Sequence, residues 1–249
     1  MIKIIPLLDF PIIEEGDSLG QIILQSYKTN NLEIENNDII IIAQSIISRS
    51  EGAIVDLKEI SPSQFASEIA KNTNKDARHV ESILREAKAI CKQREHVLVT
   101  ETKHGFVCAN SGVDKSNVPG DEFVSLLPKD PDESANKIRE KIESETQKKV
   151  AIIISDTHNR PFRIGAINIA IGCSGIDPLK KYIGKKDLFG YELKSSIISL
   201  ADQLCSAAGI QMGEANEGMP VIIIRGINYS RKEVSAKKLI RPAEKDYFR

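Results

Sequence analysis

The sequence predicts a mixed fold of the α+β class, because strand and helix patterns follow one another in no regular order. Uninterrupted apolar runs within 38–43 and at the start of 150–165 are typical of strands buried on both faces. No internal repeat or low-complexity linker divides the 249 residues. We expect two lobes with a boundary near residue 90, and a C-terminal third that returns to the first lobe.

Capping residues and apolar spacing predict the helices of the first half. Asp17 is expected to cap a helix that ends near Tyr27, and Ser61-Pro62 to start another. A further helix is predicted over 77–92, and 44–52 is expected to be a loop or helix after the first buried strand.

The remaining elements follow in order along the chain. Helices are predicted from Asp130-Pro131 onward and over 196–208, where Gly209 is expected to end the helix. An irregular, basic segment is expected at 172–190. Strands are predicted at 96–100, 105–109, 124–127, 167–171 and 221–224.

Composition excludes several classes of protein. With 34 basic and 35 acidic residues and 5% aromatic residues, the chain has no broad surface for nucleic acid. It shows no signal peptide pattern and no apolar run near the roughly twenty residues that cross a bilayer, so a soluble, cytoplasmic protein is expected. All four cysteines are expected to be buried thiols.

Three acidic residues next to predicted strands are candidate metal ligands: Asp114, Asp156 and Glu214. Mg²⁺ and Mn²⁺ prefer oxygen ligands, and nucleotide sites bind them through one or two carboxylates and phosphate oxygens. The alternative is that each carboxylate only caps a turn or helix. Arg160 and Arg163 flank a proline and present guanidiniums suited to phosphate or carboxylate, or else form surface ion pairs.

Two further loops are rich in hydrogen-bonding groups. The loop at 110–117 is a candidate for binding a purine or phosphate, or is an ordinary turn. The acidic loop at 212–220 has flanking glycines that permit closure over a nucleotide, or is a solvated hairpin. No GxxxxGK[ST] or GxGxxG motif is present, which excludes a P-loop NTPase and a Rossmann dehydrogenase.

Six ordered segments together resemble the F420 gamma-glutamyl ligase family, over nearly the whole chain. The segments are AQSIISRSEG (43–52), GFVCANSGVDKSNV (105–118), LLPKDPDESANKIR (126–139), SDTHNRPFRIGAINIAIGCSGIDPL (155–179), GKKDLFGYEL (184–193) and MGEANEGMPVIIIRG (212–226). The resemblance implies a mixed α/β, two-lobed fold in an intertwined homodimer. It also implies that only the ligase domain is present, without the nitroreductase-like domain of longer bacterial relatives.

The resemblance further implies a GTP-dependent ligase that adds L-glutamate to coenzyme F420-0, then a further γ-linked glutamate, with release of GDP and phosphate. Two divalent ions, Mg²⁺ or Mn²⁺, are implied, and a need for K⁺ is left open. The implied metal ligands are Asp114, Asp156, Thr157 and Glu214. The implied nucleotide contacts are Pro11, Ile12, Ile13, Glu14, Ser45, Arg49, Asn117, Met212, Gly213, Glu214, Ala215, Asn216, Glu217, Gly218 and Met219.

Four positions depart from the common family pattern. Ser45 and Arg49 stand where lysine is usual, Asn159 where glycine is common, and Glu214 where glutamine often occurs. Arg160 and Arg163 are the candidates for gripping an acyl phosphate or the incoming glutamate. The alternatives are a metal-dependent phosphohydrolase acting on a nucleotide or phosphorylated small molecule, and a non-catalytic nucleotide-binding module.

Overall fold

The computed structural model describes residues 1–246 and confirms the α+β class. The strands are β1 Lys3–Pro6, β2 Ile39–Ala43, β3 Ile54–Asp56, β4 Ala87–Arg94, β5 Val97–Thr102, β6 Val107–Ala109, β7 Phe123–Ser125, β8 Ala151–His158, β9 Ile167–Ser174, β10 Leu179–Lys181, β11 Ile197–Ser199 and β12 Val221–Arg225. The α-helices are α1 Leu19–Thr29, α2 Gln44–Ser50, α3 Gln64–Thr73, α4 Ala77–Glu86, α5 Pro131–Thr146 and α6 Leu200–Met212. Within these residues, no helix has the length and apolar character needed to cross a membrane.

A five-stranded sheet forms the centre of the fold, in the order β1-β12-β2-β8-β9. Strands β2 and β8 run parallel, with Ile41 opposite Ile153, and the other neighbours are antiparallel. Helices α1, α2 and α5 pack in the apolar cluster on one face, and α6 packs in the cluster on the other. Because both faces are covered, residues 39–42 are fully buried isoleucines. The buried strands predicted from the two apolar runs are therefore confirmed.

Residues 54–125 stand between α2 and α5 in the chain and have a hydrophobic cluster of their own. They contain the three-stranded antiparallel sheet β4-β5-β6 and the pair β3-β7. The cluster is centred on Leu57, Val80, Ile83, Leu98 and Val124, none of which has exposed surface. This segment carries the loop at 110–117 back towards the central sheet.

The helix predicted over 77–92 is wrong beyond Glu86, where the chain becomes strand β4. Its register with β5 runs from Ala87 opposite Thr102 to Arg94 opposite Val97, with two irregularities. The apolar spacing fits a helix for about three turns, but hydrogen bonding to β5 then determines the structure. Ile90 is 38% exposed on this edge strand.

One of the four cysteines contradicts the expectation that all are buried. Cys91 lies on β4 and is exposed, whereas Cys108, Cys173 and Cys205 are buried. All four are free thiols. The apolar neighbours of Cys91 in the sequence do not cover it, because β4 is the edge strand of a small sheet.

Two predicted helix starts are displaced by one or two residues. Ser18, not Asp17, precedes α1, and the Asp17 carboxylate accepts a hydrogen bond from the Glu14 backbone N–H at 2.8 Å. Ser63, not Ser61, caps α3 by accepting from the Ala66 N–H. These sequences offer several hydroxyl or carboxylate caps within a few residues, so composition alone does not select one.

Helix α5 starts as predicted, whereas α6 extends beyond its predicted end. Asp130 caps α5 by accepting from the Glu133 N–H at 3.0 Å. Gly209 lies inside α6, which ends at Met212 with Gly213 as its C-terminal cap. The segment 172–190 is also more regular than expected, because it contains the end of β9 and strand β10.

Candidate active site

A cleft of about 720 Å³ opens where the parallel strands β2 and β8 end at the same edge of the central sheet. The carboxyl ends of parallel strands are a common location for ligand sites in open sheets. Four further segments complete the walls: the start of α2, the loop at 110–117, the loop at 212–220 and residues 10–12. The cleft therefore gathers segments that are far apart in the sequence.

Most of the residues predicted for the site line this cleft. Those that do are Pro11, Ile12, Ser45, Arg49, Asp114, Asn117, Asp156, Thr157, Met212, Gly213, Glu214, Ala215, Asn216, Gly218 and Met219. Five predicted residues are not among its lining: Ile13, which is buried in the core, and Glu14, Arg160, Arg163 and Glu217.

The end of β8 presents two side chains in opposite directions, because alternate residues of a strand point to opposite sides. The Asp156 Oδ2 accepts a hydrogen bond from His158 Nε2 at 2.8 Å. On the other side, Thr157 Oγ1 donates to Glu214 Oε1 at 2.8 Å. The strand end is thus linked directly to the loop at 212–220.

Asp114 is exposed in the loop opposite β8 and is held by local hydrogen bonds. Its carboxylate accepts from the backbone N–H and the hydroxyl of Ser116, and its backbone pairs with that of Ser125 in both directions. Just before it, residues 110–112 all have left-handed backbone angles, with φ of 54°, 55° and 70°. Ser111 in this turn is buried and hydrogen-bonds to Thr100, which anchors the loop.

The loop at 212–220 is shaped by two glycines and one carboxylate. Gly213 and Gly218 have φ of 69° and 68°, a region that favours glycine. The Glu217 carboxylate accepts from the Ala215 backbone N–H at 2.8 Å, and this bond lowers the pKa of Glu217. Glu217 therefore stabilises the loop from within instead of facing the cleft.

Arg160 and Arg163 lie on the loop that joins β8 to β9, outside the cleft. The Arg160 Nη2 donates to the backbone carbonyls of Gly165, at 3.0 Å, and Ile164, at 3.3 Å. Arg163 is exposed. In this arrangement neither residue belongs to the lining of the cleft.

The charged groups that line the cleft are three carboxylates and one guanidinium, that of Arg49. The excess of negative charge repels a polyphosphate unless cations enter the cleft with it. Within residues 1–246, no three His, Cys, Asp or Glu side chains are grouped closely enough to form a metal site by themselves. The oxygen donors nevertheless fit Mg²⁺ or Mn²⁺, since such ions are commonly held by one or two carboxylates plus substrate phosphates.

Sequence reasoning missed two residues that border the predicted ligands. Asn168 lines the cleft and donates to the Thr157 hydroxyl. The feature of the sequence that could have indicated it is a single amide side chain within the otherwise apolar run 167–171. Cys108 also lines the cleft. Burial, and then the nearby charge of Asp156, raises the pKa of its thiol to about 12, so this cysteine is not a nucleophile near neutral pH.

The chain is similar to proteins of one enzyme family over most of its length. Residues 8–226 match the family model described as F420-0:Gamma-glutamyl ligase. The Coenzyme F420:L-glutamate ligase of Methanocaldococcus jannaschii is 50% identical over 244 residues, which cover 97% of this chain and 95% of that protein. The protein of the same name from Methanothermobacter thermautotrophicus is 42% identical over 250 residues, covering 100% and 99%. The chain therefore belongs to the F420-0:gamma-glutamyl ligase family.

Proposed function

We propose that the protein is a cytoplasmic, GTP-dependent ligase that adds L-glutamate to coenzyme F420-0, followed by further γ-linked glutamate, and releases GDP and phosphate. The observation that carries this proposal is the near full-length similarity to proteins named Coenzyme F420:L-glutamate ligase, at 50% and 42% identity. The cleft at the ends of β2 and β8 is the proposed site, since its volume lies within the range of small-molecule pockets.

The chemical problem is to form an amide from a carboxylate, which is a poor electrophile. In the proposed reaction, a carboxylate oxygen of F420-0 attacks the γ-phosphorus of GTP, which forms an acyl phosphate and breaks the bond to GDP. The amine of glutamate, after losing a proton, then attacks the acyl carbon, and phosphate leaves. Phosphorylation thus converts a carboxylate oxygen into part of a good leaving group.

Two divalent ions, Mg²⁺ or Mn²⁺, would be held by Asp114, Asp156, Thr157 and Glu214, and would there neutralise phosphate charge. Residues of this chain prepare that binding. His158 fixes the orientation of the Asp156 carboxylate, and the Thr157 hydroxyl holds the Glu214 carboxylate at the cleft wall. Arg49, which lines the cleft, would contact an anionic group of the nucleotide. A requirement for K⁺ is a separate part of the proposal.

The proposal includes a homodimer. The loop at 159–166 exposes Phe162 and Ile164, and the segment at 182–193 exposes Leu188 and Phe189, each by at least 89%. Large apolar side chains in such positions are typical of surfaces that bind another protein. Arg160 and Arg163 belong to the first of these loops, so their proposed role in gripping the acyl phosphate or glutamate requires a rearrangement of that loop from its present position.

The coupling of GTP turnover to both other substrates tests the proposed function. We expect repeated GDP release, beyond one GDP per protein chain, only when F420-0, glutamate and a divalent ion are all present. The acyl phosphate requires F420-0 to form, and glutamate must consume it before the next turnover. The measurement is GDP formation followed by chromatography, with each component omitted in turn. GTP turnover that needs neither F420-0 nor glutamate would instead establish a metal-dependent phosphohydrolase.

A further inference from the structure

Asn168 on β9 stands directly opposite Thr157 on β8 in the antiparallel register. Its Nδ2 donates to Thr157 Oγ1 at 3.3 Å, and Thr157 Oγ1 donates in turn to Glu214 Oε1 at 2.8 Å. The three side chains form a relay that runs from β9 through β8 to the loop after α6. Cross-strand pairing fixes the first two members, whereas the third, Glu214, is exposed on a loop.

The relay determines how the Thr157 hydroxyl can interact with a ligand. A hydroxyl group has one proton and two lone pairs. The proton is directed to Glu214, and one lone pair accepts from Asn168. One lone pair remains, and no proton is left to donate to a phosphate oxygen. The hydroxyl is therefore presented as an electron-pair donor, which suits a cation.

Helix α6 holds Asn168 in place. A Cβ atom at Gly209 would lie 1.9 Å from Asn168 Oδ1 and 2.6 Å from its Cγ, so the amide occupies the space that this glycine leaves. Glycine destabilises a helix interior relative to alanine, and its presence there indicates a packing requirement. One turn earlier, the Ser206 hydroxyl donates to the Asn168 backbone carbonyl at 2.8 Å.

We propose that Asn168, seated by Gly209, is a positioning residue for the divalent cation of the cleft. It acts by orienting the Thr157 hydroxyl towards Glu214, which restrains an exposed carboxylate on a loop before the cation arrives. Restraint in the free protein reduces the entropy lost on binding. This inference rests on the proposed function, in which Thr157 and Glu214 bind that cation.

The test is the affinity of the full chain for Mn²⁺, measured by electron paramagnetic resonance with and without GTP. We expect Asn168→Ala and Gly209→Ala each to weaken Mn²⁺ binding about tenfold, the lower end of the effect of residues that orient metal ligands. The matched control is Gly20→Ala in α1, where a new Cβ would lie 2.8 Å from Lys141 Cγ and 2.9 Å from its Cβ. This substitution also crowds a helix glycine but lies outside the cleft, so Mn²⁺ affinity should not change. Thermal unfolding of each variant reports whether the fold is retained.

A double-mutant cycle separates positioning from a general structural effect. In a Thr157→Val background, Asn168→Ala should cause no further loss of Mn²⁺ affinity, because the relay is already broken. Wild-type affinity in Asn168→Ala, an equal tenfold loss in both backgrounds, or no Mn²⁺ binding by the parent chain would each overturn the proposal. If Gly209→Ala does not fold, Asn168→Ala and Asn168→Ser decide the matter. A parent chain that binds Mn²⁺ but adds no glutamate refutes the proposed ligase and leaves the relay intact.

Discussion

Replacement of Asp156 by alanine is expected to slow glutamate addition by about 10²–10³-fold, the scale of removing one fixed charge or dipole from a reaction site. Asp156 lies at the end of β8, is 17% exposed at its side chain, and is held by His158. Its carboxylate is one of three that line a cleft with a single guanidinium. Without it, the cleft loses part of the negative charge that would retain divalent ions beside the phosphates.

The measurement is the rate of glutamate addition by Asp156→Ala at saturating GTP, F420-0 and Mn²⁺. The matched control is Asp121→Ala, which removes an exposed carboxylate that does not line the cleft and should leave the rate unchanged. A normal rate in Asp156→Ala would contradict the placement of the site. A rate that recovers when Mn²⁺ is raised above the concentration that saturates the parent protein would show that the loss lies in ion binding.

The replacement Arg225→Met is expected to lower the free energy of unfolding by about 3–5 kcal/mol, the usual cost of leaving one partner of a buried ion pair alone. Arg225 on β12 donates to both oxygens of Asp38, at 2.7 and 3.0 Å, and to Glu35 at 2.6 Å. Asp38 is 1% exposed. The Tyr27 hydroxyl and the Glu35 backbone N–H also donate to this carboxylate, at 3.4 and 3.0 Å. Both are neutral donors, so removal of the guanidinium leaves a buried negative charge without a countercharge at either of its oxygens.

Chemical denaturation of Arg225→Met beside Arg85→Met checks this expectation. Arg85 forms an ion pair with Glu81 and its side chain is 52% exposed, so its loss should cost no more than about 1 kcal/mol. Asp38 precedes β2, at the opposite end of that strand from the cleft, so Arg225→Met should keep its activity at temperatures where it remains folded. Equal losses of stability in the two variants would contradict the account of this network.

The sequence predicts the centre of the fold better than its periphery. Strands β2 and β8 are recognisable because both faces are buried, which makes the apolar runs continuous. Strand β4 is not, because it is largely exposed, and the apolar spacing of α4 continues into it. Its structure depends on pairing with β5, a non-local interaction that helix periodicity does not contain.

Site residues could be predicted where polar side chains lie near a recognisable apolar strand in the sequence. They could not be predicted where their place in the site depends on the pairing register of two strands. Asp156 follows the apolar part of β8, Glu214 lies in the loop before the apolar strand β12, and both line the cleft. Asn168 became visible only when the pairing of β8 with β9 placed it opposite Thr157. Gly209, expected to end a helix, instead makes room for that amide. The sequence likewise does not show that the Glu217 side chain turns back to accept a hydrogen bond from the Ala215 N–H of its own loop.

The most direct test of the account is mass spectrometry of F420-0 after incubation with the protein, GTP, Mn²⁺ and L-glutamate. We predict a product heavier by one or more glutamyl units, which forms only when all four components are present and which Asp156→Ala forms much more slowly. F420-0 of unchanged mass, recovered while GTP is converted to GDP, would contradict the central claim that this cleft joins glutamate to the coenzyme.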